Sequence, residues 1–99
     1  MAARFGDMLL EQRRRMGLSI QQVANTIKIR PQIIEFFENG NFASMPPRGY
    51  AQGMISSYAR FLGLNPREVV NAYFDDLMAY ERETSQQGGR FQDAAGYVN

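Results

Sequence analysis

Leu18–Gly40 reads LSIQQVANTIKIRPQIIEFFENG, and the fold is decided there. Ser19 stands before an apolar-periodic run and Gln22 follows three residues later, the capping-box pattern that starts a helix. That helix is short, ending near Thr26 or Ile27. Arg30 and Pro31 open the next one, with proline in the first turn, where its missing N–H costs nothing. Gly40 stops it. Ala24 is small where two helices must cross closely, and Val23, Ile27, Ile29, Ile34 and Phe37 are apolar around it.

Those are the parts of a helix-turn-helix packing skeleton, whose second helix is able to enter a major groove. A three-helix core with no ligand would use the same spacing. Working outward, a helix from about Arg4 to Met16 precedes the stretch, with Phe5, Met8, Leu9 and Met16 near one face and Gly17 as a left-handed stop. After it, NFASMPPRG (Asn41–Gly49) is a loop, since consecutive prolines exclude a helix interior. A fourth helix runs from about Gly49 to Leu62 and is stopped by Gly63. Asn65, Pro66 and Glu68 spell another start: cap, first-turn proline and capping-box acid. The fifth helix carries Val69, Val70, Tyr73, Phe74, Leu77 and Tyr80 inward. The expected fold is all-α, a five-helix bundle over residues 4–81. From Arg82 periodicity gives way to Gly, Gln and Ser, so residues 82–99 read as a flexible tail or linker.

Composition narrows the chemistry. The 99 residues include no cysteine and no histidine, which removes disulfides, thiolate metal sites, the commonest zinc ligand and the commonest catalytic base. Asp75 and Asp76 are adjacent on a helix, so their side chains diverge by about 100° and do not converge on a proton or a metal. No catalyst, cofactor, metal or small-molecule substrate is expected. No apolar run approaches the roughly 20 residues of a membrane span and no secretory signal begins the chain, so it reads as soluble and cytoplasmic.

For duplex DNA the candidate residues are Lys28, Arg30, Gln32, Ile33, Glu35 and Phe36, at the turn and on the outward side of the second motif helix. Charge argues against them. From Ser19 to Asn39 the ionised groups are Lys28 and Arg30 against Glu35 and Glu38, a neutral set, whereas phosphate neutralisation by Lys and Arg drives most DNA affinity. Arg13, Arg14 and Arg15 form a basic run but fan over about 300° of helix; a solvated helix end explains them. Helices one to three resemble the phage-repressor family. That resemblance places DNA-holding glutamines at positions filled here by Ile20 and Pro31, neither of which reads a base edge or grips a phosphate. Lys28 replaces the usual turn glycine.

The fourth helix, GYAQGMISSYARFLGL (Gly49–Leu64) with its turn, carries an apolar arc wider than the ~100° stripe one core requires. Ala51, Ile55, Leu62 and Tyr58 are assigned to the core. Tyr50, Met54 and Phe61 form an edge for another protein, flanked by Gly53 and Ser57. Gly49 and Gly53 let a partner's backbone approach, and each glycine inside a helix costs up to ~1 kcal/mol. The competing reading packs every apolar residue under the fifth helix.

The run Tyr50, Gly53, Ser57, Tyr58, Ala59, Arg60, together with TIKIRP (Thr26–Pro31), resembles the N-terminal cytoplasmic domain of RodZ-like bacterial proteins over about Arg4–Glu81. The resemblance implies a five-helix domain followed by a linker and a single membrane helix. It also implies docking on the actin-like protein MreB through the fourth helix, with aromatic contacts at positions occupied here by Tyr50 and Met54. Tyr50 keeps the ring; Met54 supplies apolar bulk without one. The expected function is a cell-shape adaptor that binds a protein, the rival a repressor-like transcription regulator.

Overall fold

A computed structural model describes residues 4–85. Five α-helices and one 3-10 turn follow in order: α1 (Arg4–Arg15), α2 (Ile20–Ile27), α3 (Pro31–Asn39), the turn Phe42–Ser44, α4 (Arg48–Phe61) and α5 (Pro66–Thr84). The fold is the expected all-α helix-turn-helix bundle.

Local chemistry sets the boundaries. Gly17, Gly40 and Gly63 all adopt positive φ just past helix ends, the left-handed geometry that glycine enters without a Cβ penalty. Ser19 Oγ accepts from the Gln22 amide at 3.0 Å, while Gln22 Oε1 accepts from the Ser19 amide at 2.7 Å. The capping box is complete. At α5, Asn65 Oδ1 accepts from the amides of Arg67 and Glu68; Asn65 caps without a return bond from the Glu68 side chain.

Three boundaries differ from expectation. α1 ends at Arg15, and Met16 is 45% exposed, because the left-handed turn at Gly17 swings it off the apolar face. α4 begins at Arg48 after the cap residue Pro47, which puts Gly49 inside the first turn. α5 continues to Thr84, past Glu81, and Tyr80 just before that point stacks on Phe42 with ring centroids 5.2 Å apart. The rest of the expected tail, 86–99, lies outside the described residues.

The core draws on every helix: Phe5 and Leu9, Val23 and Ala24, Ile34 and Phe37, Ala51, Ile55, Tyr58, Ala59 and Leu62, then Val69, Ala72 and Tyr73. α1 packs between α3 and α5, while α4 packs on α5 and touches α2. The crossing of α1 over α3 turns on Gly6. A Cβ there would lie 2.5 Å from the Phe37 carbonyl oxygen and 2.6 Å from that of Glu38. At the same end of α1, the Phe5 amide donates to Asp76 at 2.9 Å and Arg4 pairs with Asp75 at 3.3 Å. The adjacent aspartates thus serve the helix start separately.

Candidate interaction site

Four arc residues of α4 are buried, Ala51, Ile55, Tyr58 and Ala59, as is its cap residue Leu62. The remainder of the arc is divided. Tyr50 is 70% exposed, and Gly53 and Ser57 beside it are exposed as well. Met54 and Phe61 are half-buried and pack one side against the core, so they form the shoulder of the edge and Tyr50 its crest. An added Cβ would meet nothing within 4 Å at Gly49 or Gly53. Neither glycine is required by packing inside the domain. They floor an open groove between α4 and the start of α5, whose walls include Gln52, Ser56, Arg67 and Val70.

The motif face is arranged differently. Lys28 holds the turn with φ 61°, its amide donating to Ala24 at 2.9 Å. A lysine thus occupies the left-handed position that favours glycine. Arg30, Gln32 and Glu35 are exposed, as is Lys28; Ile33 and Phe36 are half-buried. Ile33 packs against the core, and the exposed polar groups of the face are Lys28, Arg30, Gln32 and Glu35.

Two residues of that region depart from the sequence reading. Glu38 is only 4% exposed. Arg13 Nε and Nη2 donate to its two carboxylate oxygens at 2.7 and 3.0 Å, and the Tyr58 hydroxyl donates to Oε2. A third Arg13 nitrogen, Nη1, donates to the Leu18 carbonyl at 2.8 Å. Arg13 is therefore no solvated helix end; it ties α1, the turn before α2, α3 and α4 into one knot. The hydrogen bond to Glu38 raises its guanidinium pKa further. Burial first, then the bond to Glu38, pushes the Tyr58 phenol far above the ordinary tyrosine range. With Glu38 enclosed, the exposed ions of the motif are Lys28, Arg30 and Glu35. The surface is mildly basic instead of neutral.

Sequence reasoning found Tyr58 as a core residue but missed its hydroxyl's partner. The signal was faint: Arg13 and Glu38 are far apart in the chain, and an arginine run masks the one that turns inward. Gly6 was missed as well, because a glycine in a helix reads as a small cost until the crossing helix is placed. Among the described residues no group of three or more acidic side chains is placed to hold a metal ion, and no helix is long and apolar enough to cross a membrane.

Comparison with known proteins supplies the family. The chain is 37% identical over 60 residues to an uncharacterised protein of Haemophilus influenzae; the match takes in 60% of this chain and 20% of that one. This chain therefore spans about a fifth of that relative's length. The solved structure of YmfM from Staphylococcus aureus, described as a candidate DNA-binding membrane protein, is similar with a TM-score of 0.67. The identity is 25%, and 73% of this chain and 88% of that one are covered. Residues 8–69 match the model of a helix-turn-helix domain family, and the chain belongs to that family.

Proposed function

We propose that the domain is a non-catalytic docking module of a RodZ-like adaptor, working at the cytoplasmic face of a membrane and seating a protein on the α4 edge. An actin-like filament subunit of the MreB type is the partner that the resemblance implies. The observation carrying this reading is Tyr50, 70% exposed beside two glycines whose missing side chains serve no contact within the domain. A large, stiff aromatic on an open helix edge is the composition of an interface anchor, and adjacent glycines leave room for a partner's backbone. Met54 and Phe61 broaden the contact, with Gly53 and Ser57 at its side.

Tyr50→Ala tests it. Binding to purified MreB-type protein should weaken by more than ~1 kcal/mol with the thermal unfolding of the domain little changed, because the residue is mostly exposed and is not part of the core cluster. Undiminished binding would remove the edge as drawn.

A second reading is favoured by the burial of Glu38, which leaves the motif face with a surplus of cation, and by the description of YmfM. In it, Lys28 and Arg30 hold phosphates while Gln32 reaches a base edge. Anisotropy of labelled duplexes with added salt separates the two: sequence-dependent binding that survives physiological salt supports the regulator.

A further inference from the structure

We infer that the groove beside Tyr50 selects an acidic partner segment, so that the docking edge is a charge-matched seat and more than an apolar ridge. The inference rests on the docking reading above and names the chemistry of the partner surface. Between Glu38 and Glu68 the chain carries Arg48, Arg60 and Arg67 and no carboxylate. Neither of the two acids bounding that stretch lines the groove. Glu38 is enclosed and held by Arg13, and Glu68 is not among the groove's lining residues.

The helices packed against α4 keep the charge unbalanced. α2 contains no ionisable residue. On α5, Asp75 and Asp76 are engaged with Arg4 and the Phe5 amide at the start of α1, and Glu81 and Glu83 stand in its last turn. Arg67 lines the groove directly. Arg60 lies within about 40° of Gly49, Gly53 and Ser56 on the helix wheel, one turn along the same stripe. Both arginines are exposed, and neither forms an ion pair among the described residues. A carboxylate-bearing helix laid on the glycine floor would meet Arg67 at the groove wall, with Arg60 one turn along the same stripe and the exposed Tyr50 at the outer rim, about 60° round the helix from Gly53. Duplex phosphate offers the same charge but nothing to cover an isolated aromatic crest, so a protein segment fits better.

The test is an amide-shift titration of the isotope-labelled chain with three probes: an amphipathic helical peptide with glutamates on its polar face, the same peptide with lysines there, and a short duplex DNA. The glutamate peptide should shift the amides of Gly49, Gly53 and Arg67 and bind more tightly than the lysine peptide. Arg60→Gln with Arg67→Gln should weaken it by about three- to tenfold, the combined worth of two exposed ion pairs. Equal affinity for the two peptides, shifts elsewhere, or saturable DNA shifts centred on α4 would overturn the inference. Tyr50→Ala in the same titration separates the claims. Loss with Tyr50→Ala but not with the arginine pair leaves the aromatic ridge and removes the charge match; the reverse leaves the charge match and removes the ridge.

Discussion

Gly6 and Tyr58 show how far single residues fix this bundle. At Gly6 two backbones approach so closely that a methyl group would sit 2.5 Å from a carbonyl oxygen, and backbone yields far less readily than a side chain. Gly6→Ala should therefore destabilise the domain by at least about 2–3 kcal/mol, the upper range of overpacking costs, read as a lowered urea midpoint. An unchanged midpoint would mean that the helices slide apart freely. Tyr58 predicts a pH dependence. Its phenol is raised in the fold, by burial and then by Glu38, so the folded chain keeps a proton that the unfolded chain releases above about pH 10. Stability from this group is complete below that pH and is lost as pH rises beyond it. Tyr58→Phe should flatten the alkaline decline in urea midpoint without abolishing it, since burial raises Tyr73 too. The variant also leaves Glu38 one donor short, which costs about 1–3 kcal/mol at neutral pH.

Among the elements, α4 carries glycines that lower its own helix stability, and they border the edge proposed for docking. Gly53 sits in the middle of a 14-residue helix with open space around the position a Cβ would take. Gly53→Ala should raise stability by up to about 1 kcal/mol, a gain of about 4–8 °C in midpoint temperature for a domain of this size. If the docking reading holds, the same variant weakens partner binding, because the methyl occupies the space a second backbone needs. Stabilisation with unaltered binding would reduce Gly53 to an accident of sequence. The boundaries of the other helices were legible because their signals are local: a serine and glutamine three apart, prolines in first turns, glycines after the last. The exposed edge of α4 was legible from its wheel, since a helix turns by a known angle per residue. The pairing of Arg13 with Glu38 and the crossing at Gly6 were not, because both depend on how α1 lies over α3, which no stretch of one helix encodes. The stacking of Tyr80 on Phe42 likewise depends on a residue of a distant turn.

Over the whole molecule, the distribution of charge decides between the two partners more sharply than its total. The net charge is +1, which by itself favours neither. Cations are carried on the motif turn, at the end of α1 and along the α4 groove, while the free carboxylates are divided between α5 (Glu68, Glu81 and Glu83) and the helices before it (Asp7, Glu11 and Glu35). Only Lys28 and Arg30 are exposed cations of the helix-turn-helix itself, and Glu35 stands exposed on α3 as a group that phosphates would repel. Two phosphate contacts correspond to a slope of about −2 in the logarithm of affinity against the logarithm of salt concentration. Duplex binding by this domain should therefore be weak, indifferent to sequence and shallow in its salt dependence, as measured by anisotropy over a salt series. A slope of about −5 or steeper would require Arg14, Arg15 and the α4 arginines to lie on DNA together with the motif. That would make the basic side of the bundle one continuous phosphate-binding surface, and the glycine-floored groove beside Tyr50 would then be part of a DNA-binding face instead of a seat for protein.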